Sequence, residues 1–97
     1  MTRSEREELK RLWKEGTIGI PVENNKTVIA HYIAKVYDEP SEYGINEGRI
    51  SKLQIKIDGV EVAAYDRGWD LEPEESNQAA QIALAIILND WNQGGLL

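Results

Sequence analysis

Asp58-Gly59 stands between two runs rich in apolar and β-branched residues, Arg49–Ile57 and Val60–Asp66. A two-residue Asp-Gly step in that setting predicts a tight hairpin, because both positions tolerate the left-handed backbone such a turn requires. The turn fixes the expected pairing: Ile57 opposite Val60, Lys56 opposite Glu61, Ile55 opposite Val62, Leu53 opposite Ala64. Leu53, Ile55 and Ile57 then share an apolar face with Val60, Val62 and Ala64. Lys56 and Glu61 meet on the solvent face, where an opposite-charge pair contributes about 0.2–1 kcal/mol.

Other segments organise around that hairpin. Ser4-Glu5-Arg6-Glu7 matches a capping box, so a helix is expected from Glu5 to Glu15, with a thin stripe of Leu9, Leu12 and Trp13 and a stop at Gly16. Thr17–Val22 alternates as a strand, and Pro21, lacking an amide donor, places it at an edge. Glu23–Lys26 is a turn with two Asn, and Thr27–Tyr37 is a longer, central strand apolar enough to be covered on both faces. Asp38–Gly48 is a polar loop, long for a compact domain and so a candidate for function. Asp66–Glu72 is expected to leave the sheet. Pro73 opens a last helix reaching Trp91, with Glu72, Glu74 and Glu75 where its dipole favours anions. That helix is apolar nearly all round, so the first helix or a second copy of the chain is expected to cover it.

The expectation is one α+β domain over residues 1–97, ordered α-β-β-β-β-α: a four-stranded antiparallel sheet with both helices on one face, and residues 1–4 and 93–97 frayed. The layout resembles that of double-stranded-RNA-binding domains in topology alone, because the basic loop and helix start of those domains are acidic here.

Charge and composition exclude several functions. The net charge is −6, split into +2 over residues 1–37 and −8 over residues 38–97. An acidic surface repels phosphate backbones, which argues against direct nucleic-acid binding, whereas it can steer onto a basic groove of another protein. There is no cysteine, which removes disulfides and thiolate chemistry. The longest apolar run, Ala79–Leu88, is half of the ~20 residues a membrane helix needs, and the start of the chain lacks a signal-peptide core, so a cytoplasmic protein without a membrane role is expected. His31 has no nucleophile motif beside it, the acids match no calcium loop, and Gly44 and Gly48 form no phosphate-binding string. No catalytic residue, metal ligand or cofactor is named, and no enzyme is expected.

The hairpin instead brings separate stretches to one rim. Its open ends place Ser51 beside Asp66 and Ile50 beside Arg67, where the long loop enters and Tyr65–Asp70 leaves. Tyr43, Asn46, Arg49, Asp66, Arg67, Trp69 and Asp70 are therefore the candidate binding residues. Aromatic and Arg side chains anchor interfaces, and Arg can grip a carboxylate or phosphate with two hydrogen bonds. The competing reading is structural: the arginines pair with Asp66 or Asp70 and pin the loop, while Trp69 plugs the core.

At Tyr43-Gly44-Ile45-Asn46, Gly48-Arg49-Ile50-Ser51-Lys52-Leu53 and Tyr65-Asp66-Arg67-Gly68-Trp69-Asp70, the chain resembles a family of small, largely uncharacterised proteins from phages and mobile elements of Firmicutes, over residues 13–91. The resemblance implies a phage or prophage accessory gene. Small acidic phage proteins without enzyme motifs are often inhibitors of host defence, so the expected function is an anti-CRISPR protein that binds a type II effector nuclease in the bacterial cytosol. The alternatives are an oligomeric sponge for a nucleotide signal, and a structural or regulatory phage protein that forms a homodimer through its apolar C-terminal helix.

Overall fold

The computed structural model of the protein describes Thr2 and residues 10–92. The expected capping box, and the ends expected to fray apart from Thr2, lie outside the described residues.

Five strands form one antiparallel meander: β1 (Trp13–Val22), β2 (Lys26–Val36), β3 (Ile50–Ile57), β4 (Val60–Asp66) and β5 (Trp69–Leu71), in the spatial order β1-β2-β3-β4-β5. A helix, α1 (Gln78–Ile87), packs on one face and runs on into a wider π-helical turn, Leu88–Asn92. The architecture is α+β, with one strand more than expected.

The expected first helix is cut short. Lys10 and Arg11 are helical, but Trp13–Glu15 belong to β1, which pairs with β2 over ten residue pairs from Trp13↔Lys35 to Val22↔Lys26. Alternation explains the switch. Trp13, Glu15 and Thr17 point to one face and Lys14, Gly16 and Ile18 to the other, and a long ladder outweighs a thin helical stripe. The β1–β2 reversal uses Asn24 and Asn25 at φ 64° and 59°, the left-handed pair of a mirror-image hairpin turn. Pro21 sits, as its missing donor requires, on an edge strand.

The Asp58-Gly59 turn also forms, with φ of 52° and 77°. Ile57↔Val60 and Lys56↔Glu61 pair as expected, but a bulge at Val62, between the Lys56 and Ile55 pairings, shifts everything farther from the turn by one residue: Ile55↔Ala63, Gln54↔Ala64, Leu53↔Tyr65, Lys52↔Asp66. A bulge takes up one unpaired residue and reverses the faces that follow. Ala63 and Tyr65 therefore turn into the core instead of Ala64, and Val60 stays exposed at the turn. The Glu61 carboxylate accepts from Gln54 Nε2, two residues along, rather than engaging Lys56 opposite.

Two further expectations are corrected on the way to the helix. Asp66–Glu72, expected to leave the sheet, stays with it as far as Leu71: Asp66 N donates to Gly68 O (2.9 Å), Arg67 N donates to Ser51 O (2.9 Å), and Trp69 returns beside Tyr65 as β5. The helix starts at Gln78, not Pro73, because Asn77 caps it by accepting from Ala80 N at 3.0 Å. Pro73 is held outside by Gln81 Nε2, which donates to its carbonyl at 2.9 Å. Glu72, Glu74 and Glu75 lie before the cap, exposed, and no acid occupies the first helical turn. The helix dipole does not account for them.

The core lies between α1 and one face of the sheet. Ile20, Ile45, Ile50, Ile55 and Ile87 are its largest fully enclosed side chains. Ala30, Ala34, Ala63, Ala80 and Ala83 are fully buried as well, and their small size lets helix and sheet approach closely. The other face of β2 is not covered as expected: Ile29 and Ile33 stand open there, beside Trp13 of β1. On α1, Ile82 and Ile86 point away from the sheet and remain exposed.

Candidate ligand cleft at the end of the sheet

The loop between β2 and β3 is locked by its own backbone. Ser41 N donates to Gly48 O (3.1 Å), Gly44 N to Ser41 O (3.1 Å), Glu47 N to Gly44 O (2.9 Å) and Gly48 N to Ile45 O (2.9 Å). A Cβ on Gly44 would fall 1.9 Å from Gly48 O, so only glycine allows the closure. Asn92 fastens the loop to the end of the chain. Its Oδ1 accepts from Ile50 N (2.9 Å), its Nδ2 donates to Ile45 O (2.6 Å), and its carbonyl accepts from Arg49 N (3.1 Å). A third tie is Tyr65, whose hydroxyl donates to Tyr43 O at 2.9 Å and whose burial raises its pKa.

The locked loop forms one wall of a cleft of about 750 Å³ against the ends of β2 and β3, lined by Lys35, Tyr37, Asp38, Glu39, Ser41, Tyr43, Ser51, Lys52 and Arg67. Lys35 and Lys52 are direct cross-strand partners. Lys35 Nζ sits 5.3 Å from the Tyr37 ring centre and 6.0 Å from that of Trp13, so two aromatic faces hold the ammonium. Asp38 is committed elsewhere: Arg11 grips it with two hydrogen bonds of 3.0 and 2.8 Å. That grip, aided by the more distant charges of Arg49 and Lys14, holds the Asp38 carboxyl below its ordinary pKa. Asp66 sits outside the lining, 3.6 Å from Arg67 Nε and 4.0 Å from Lys52 Nζ.

The chain matches, over residues 12–92, the family model described as "Domain of unknown function (DUF7678)". The chain belongs to the DUF7678 family. No curated protein and no solved structure matches it.

In this DUF7678 chain the residues expected to share one rim are spread over three surfaces. Tyr43 and Arg67 line the cleft. Asn46 and Trp69 lie on the helix side, together with Ile45, Gln81 and Leu88, and Trp69 meets the Tyr65 ring edge-to-face at 5.1 Å. Asp70 lies on the open sheet face, beside Trp13 and Ile33. Arg49 is half-buried and structural, its Nε donating to Trp91 O at 3.2 Å. Lys35, Lys52, Tyr37 and Ser41 are the cleft residues that the hairpin argument misses. Their convergence depends on the β2–β3 register, which is set across the thirteen residues between Val36 and Ile50 and includes a shift between Lys35 and Val36. Among the described residues no helix is long and apolar enough to cross a membrane.

Proposed function

We propose that the chain is a non-catalytic inhibitor that binds a defence protein in the bacterial cytosol, with a type II CRISPR effector nuclease as the partner to test first. The observation that carries this reading is the open face of the sheet. Trp13, Ile29 and Ile33 are 41%, 44% and 36% exposed there, with no element among the described residues packed over them. Asp66 and Asp70 border the same face together with Lys52, while Glu72 lies on the helix side. An apolar, aromatic centre with a charged rim is the anatomy of a protein interface. The net charge of −6, with −8 of it over residues 38–97, complements a basic groove, the kind of surface with which an effector nuclease holds nucleic acid. The resemblance to phage accessory proteins points to the same class of partner.

The test is titration of the purified chain against a type II effector nuclease, with and without guide RNA, at low and high salt, followed by a DNA-cleavage assay. Association that weakens with salt, inhibits cleavage and is lost in Trp13→Ala and Ile33→Ser variants that still fold is the expected result. No association at low salt, or association indifferent to both variants, overturns the assignment. Light scattering on the same samples separates the structural-protein alternative: a dimer broken by Ile82→Glu or Ile86→Glu, with no nuclease binding, favours self-association through α1.

A further inference from the structure

The cleft beside the locked loop adjoins the open sheet face at Lys52 and Trp13 and carries an inference of its own. We infer that the cleft bounded by Lys35, Lys52, Arg67, Tyr37, Tyr43 and Ser41 binds a nucleoside phosphate.

Two features of the cleft oppose folding. Lys35 and Lys52 face each other across β2 and β3, and like charges directly opposite destabilise a sheet. Arg67 holds φ at 59°, a left-handed backbone that is unfavourable for a side-chain-bearing residue and that Gly or Asn adopts more easily. Both features deliver cations to one cleft in a chain whose net charge is −6. Strain that a fold tolerates at one place is a pointer to binding there.

The cations are positioned in advance. The Tyr37 and Trp13 rings hold the Lys35 ammonium, and Lys35 has no ion pair among the described residues. Among the described residues the ion pairs of Arg67 and Lys52 are the long contacts to Asp66, exposed pairings of a kind worth little in water. A phosphate dianion offers three acceptor oxygens, which suit two ammonium groups and a guanidinium fork. Asp38 does not cancel them, since Arg11 occupies its carboxylate; Glu39 is the remaining acid in the lining. The organic part of the ligand is set by the tyrosines. Tyr37 and Tyr43 are 40% and 53% exposed, and Tyr43 is anchored through its carbonyl, which leaves its ring free to stack. Aromatic rings with adjacent cations are the usual platform for a base and its phosphate. A cleft of about 750 Å³ is within the range of small-molecule sites.

Titration calorimetry of the full chain with AMP, ATP, ribose 5-phosphate and inorganic phosphate tests this, with circular dichroism to verify folding. AMP or ATP is expected to bind more tightly than ribose 5-phosphate. Arg67→Asn and Lys52→Thr are expected to keep the parent circular dichroism spectrum and to weaken AMP or ATP binding by about ten- to hundredfold, the loss of one charge-assisted hydrogen bond. Tyr43→Ala is expected to bring AMP down to the affinity of ribose 5-phosphate. Absence of AMP and ATP binding at millimolar concentration overturns the site, as does binding that survives both cation variants. Equal affinity of the unmodified chain for AMP and ribose 5-phosphate overturns the nucleoside assignment. These readouts use no nuclease, so failure of this inference and failure of the proposed inhibition are separable.

Discussion

Asn92 reaches back forty-two residues to Ile50, accepting its amide proton at 2.9 Å, and so closes the end of the chain onto the start of β3. The same side chain donates to Ile45 O, and all of it is buried. Replacing Asn92 with Ala would strand the buried Ile50 amide, at a cost of about 1–3 kcal/mol, whereas Ile45 O keeps the bond from Gly48 N. Asn92→Ala is therefore expected to lower the urea midpoint by an amount matching a loss of about 1–3 kcal/mol. The loop amides of Glu47 and Gly48 should exchange with solvent faster than those of β2. Unchanged stability and exchange would show that the loop holds without its clamp.

Gly48 makes a stricter demand. A Cβ there would lie 2.3 Å from Asn92 Nδ2, so Gly48→Ala must push the clamp away. The variant should resemble Asn92→Ala in stability, and the double variant should lose little more, since both changes break one arrangement. A double-mutant cycle in urea measures that coupling. Strict additivity would mean that Gly48 and Asn92 act separately.

Much of the fold is legible in the residues because its signals are local. Asp58-Gly59 fixes its own turn, and the alternation of Ala30, Ala34 and Val36 marks the core face of β2. What escapes is decided by competition between distant segments. Trp13 fits either a helix or a strand on periodicity, and the ladder to β2 decides. The bulge at Val62 leaves no mark in the sequence, yet it sends Tyr65 inward to hold Tyr43. Arg67-Gly68 is not a standard hairpin pair, so β5 is invisible until Ser51 O is seen to take the Arg67 amide. The candidate site is legible only in its Arg67 and Tyr43 members, which flank the hairpin and its loop; Lys35 joins them through register alone.

The strain at Arg67 predicts a gain from its removal. Asn tolerates the left-handed backbone, so Arg67→Asn is expected to match the parent or exceed it by up to about 1 kcal/mol. Arg67→Val, β-branched at the same φ of 59°, should lower stability instead. Thermal melts of the two variants provide the comparison. Equal melting temperatures would mean that the turn relaxes and no strain is stored there.

Lys52→Thr examines the opposed lysines in the same way. The change removes a like charge across from Lys35, leaves Asp66 its contact with Arg67, and puts a β-branched residue in a strand. A gain of about 0.2–1 kcal/mol is expected at low salt, shrinking as salt screens the repulsion in the parent. Denaturation in urea at two ionic strengths reads both effects. A loss of stability at low salt would show that the Lys52 contact to Asp66 outweighs its repulsion from Lys35.

The ion pair between Arg11 and Asp38 gives the chain a defined acid response. The hydrogen bonds from Arg11, and then its charge, hold the folded-state pKa of Asp38 below the ordinary 3.8. A carboxyl whose pKa falls on folding binds fewer protons in the folded state. Its contribution is therefore complete above the unfolded value, and it is lost as pH falls through the folded one. Asp38→Asn should consequently be less stable than the parent at neutral pH, with the gap closing as pH drops below 3.8. Arg11→Gln should show the same closing gap, and high salt should narrow it at neutral pH because both groups are exposed. Urea midpoints collected from neutral pH down to the acid limit of folding measure it. A gap that persists unchanged through the acid range would mean that Asp38 acts through something other than its charge.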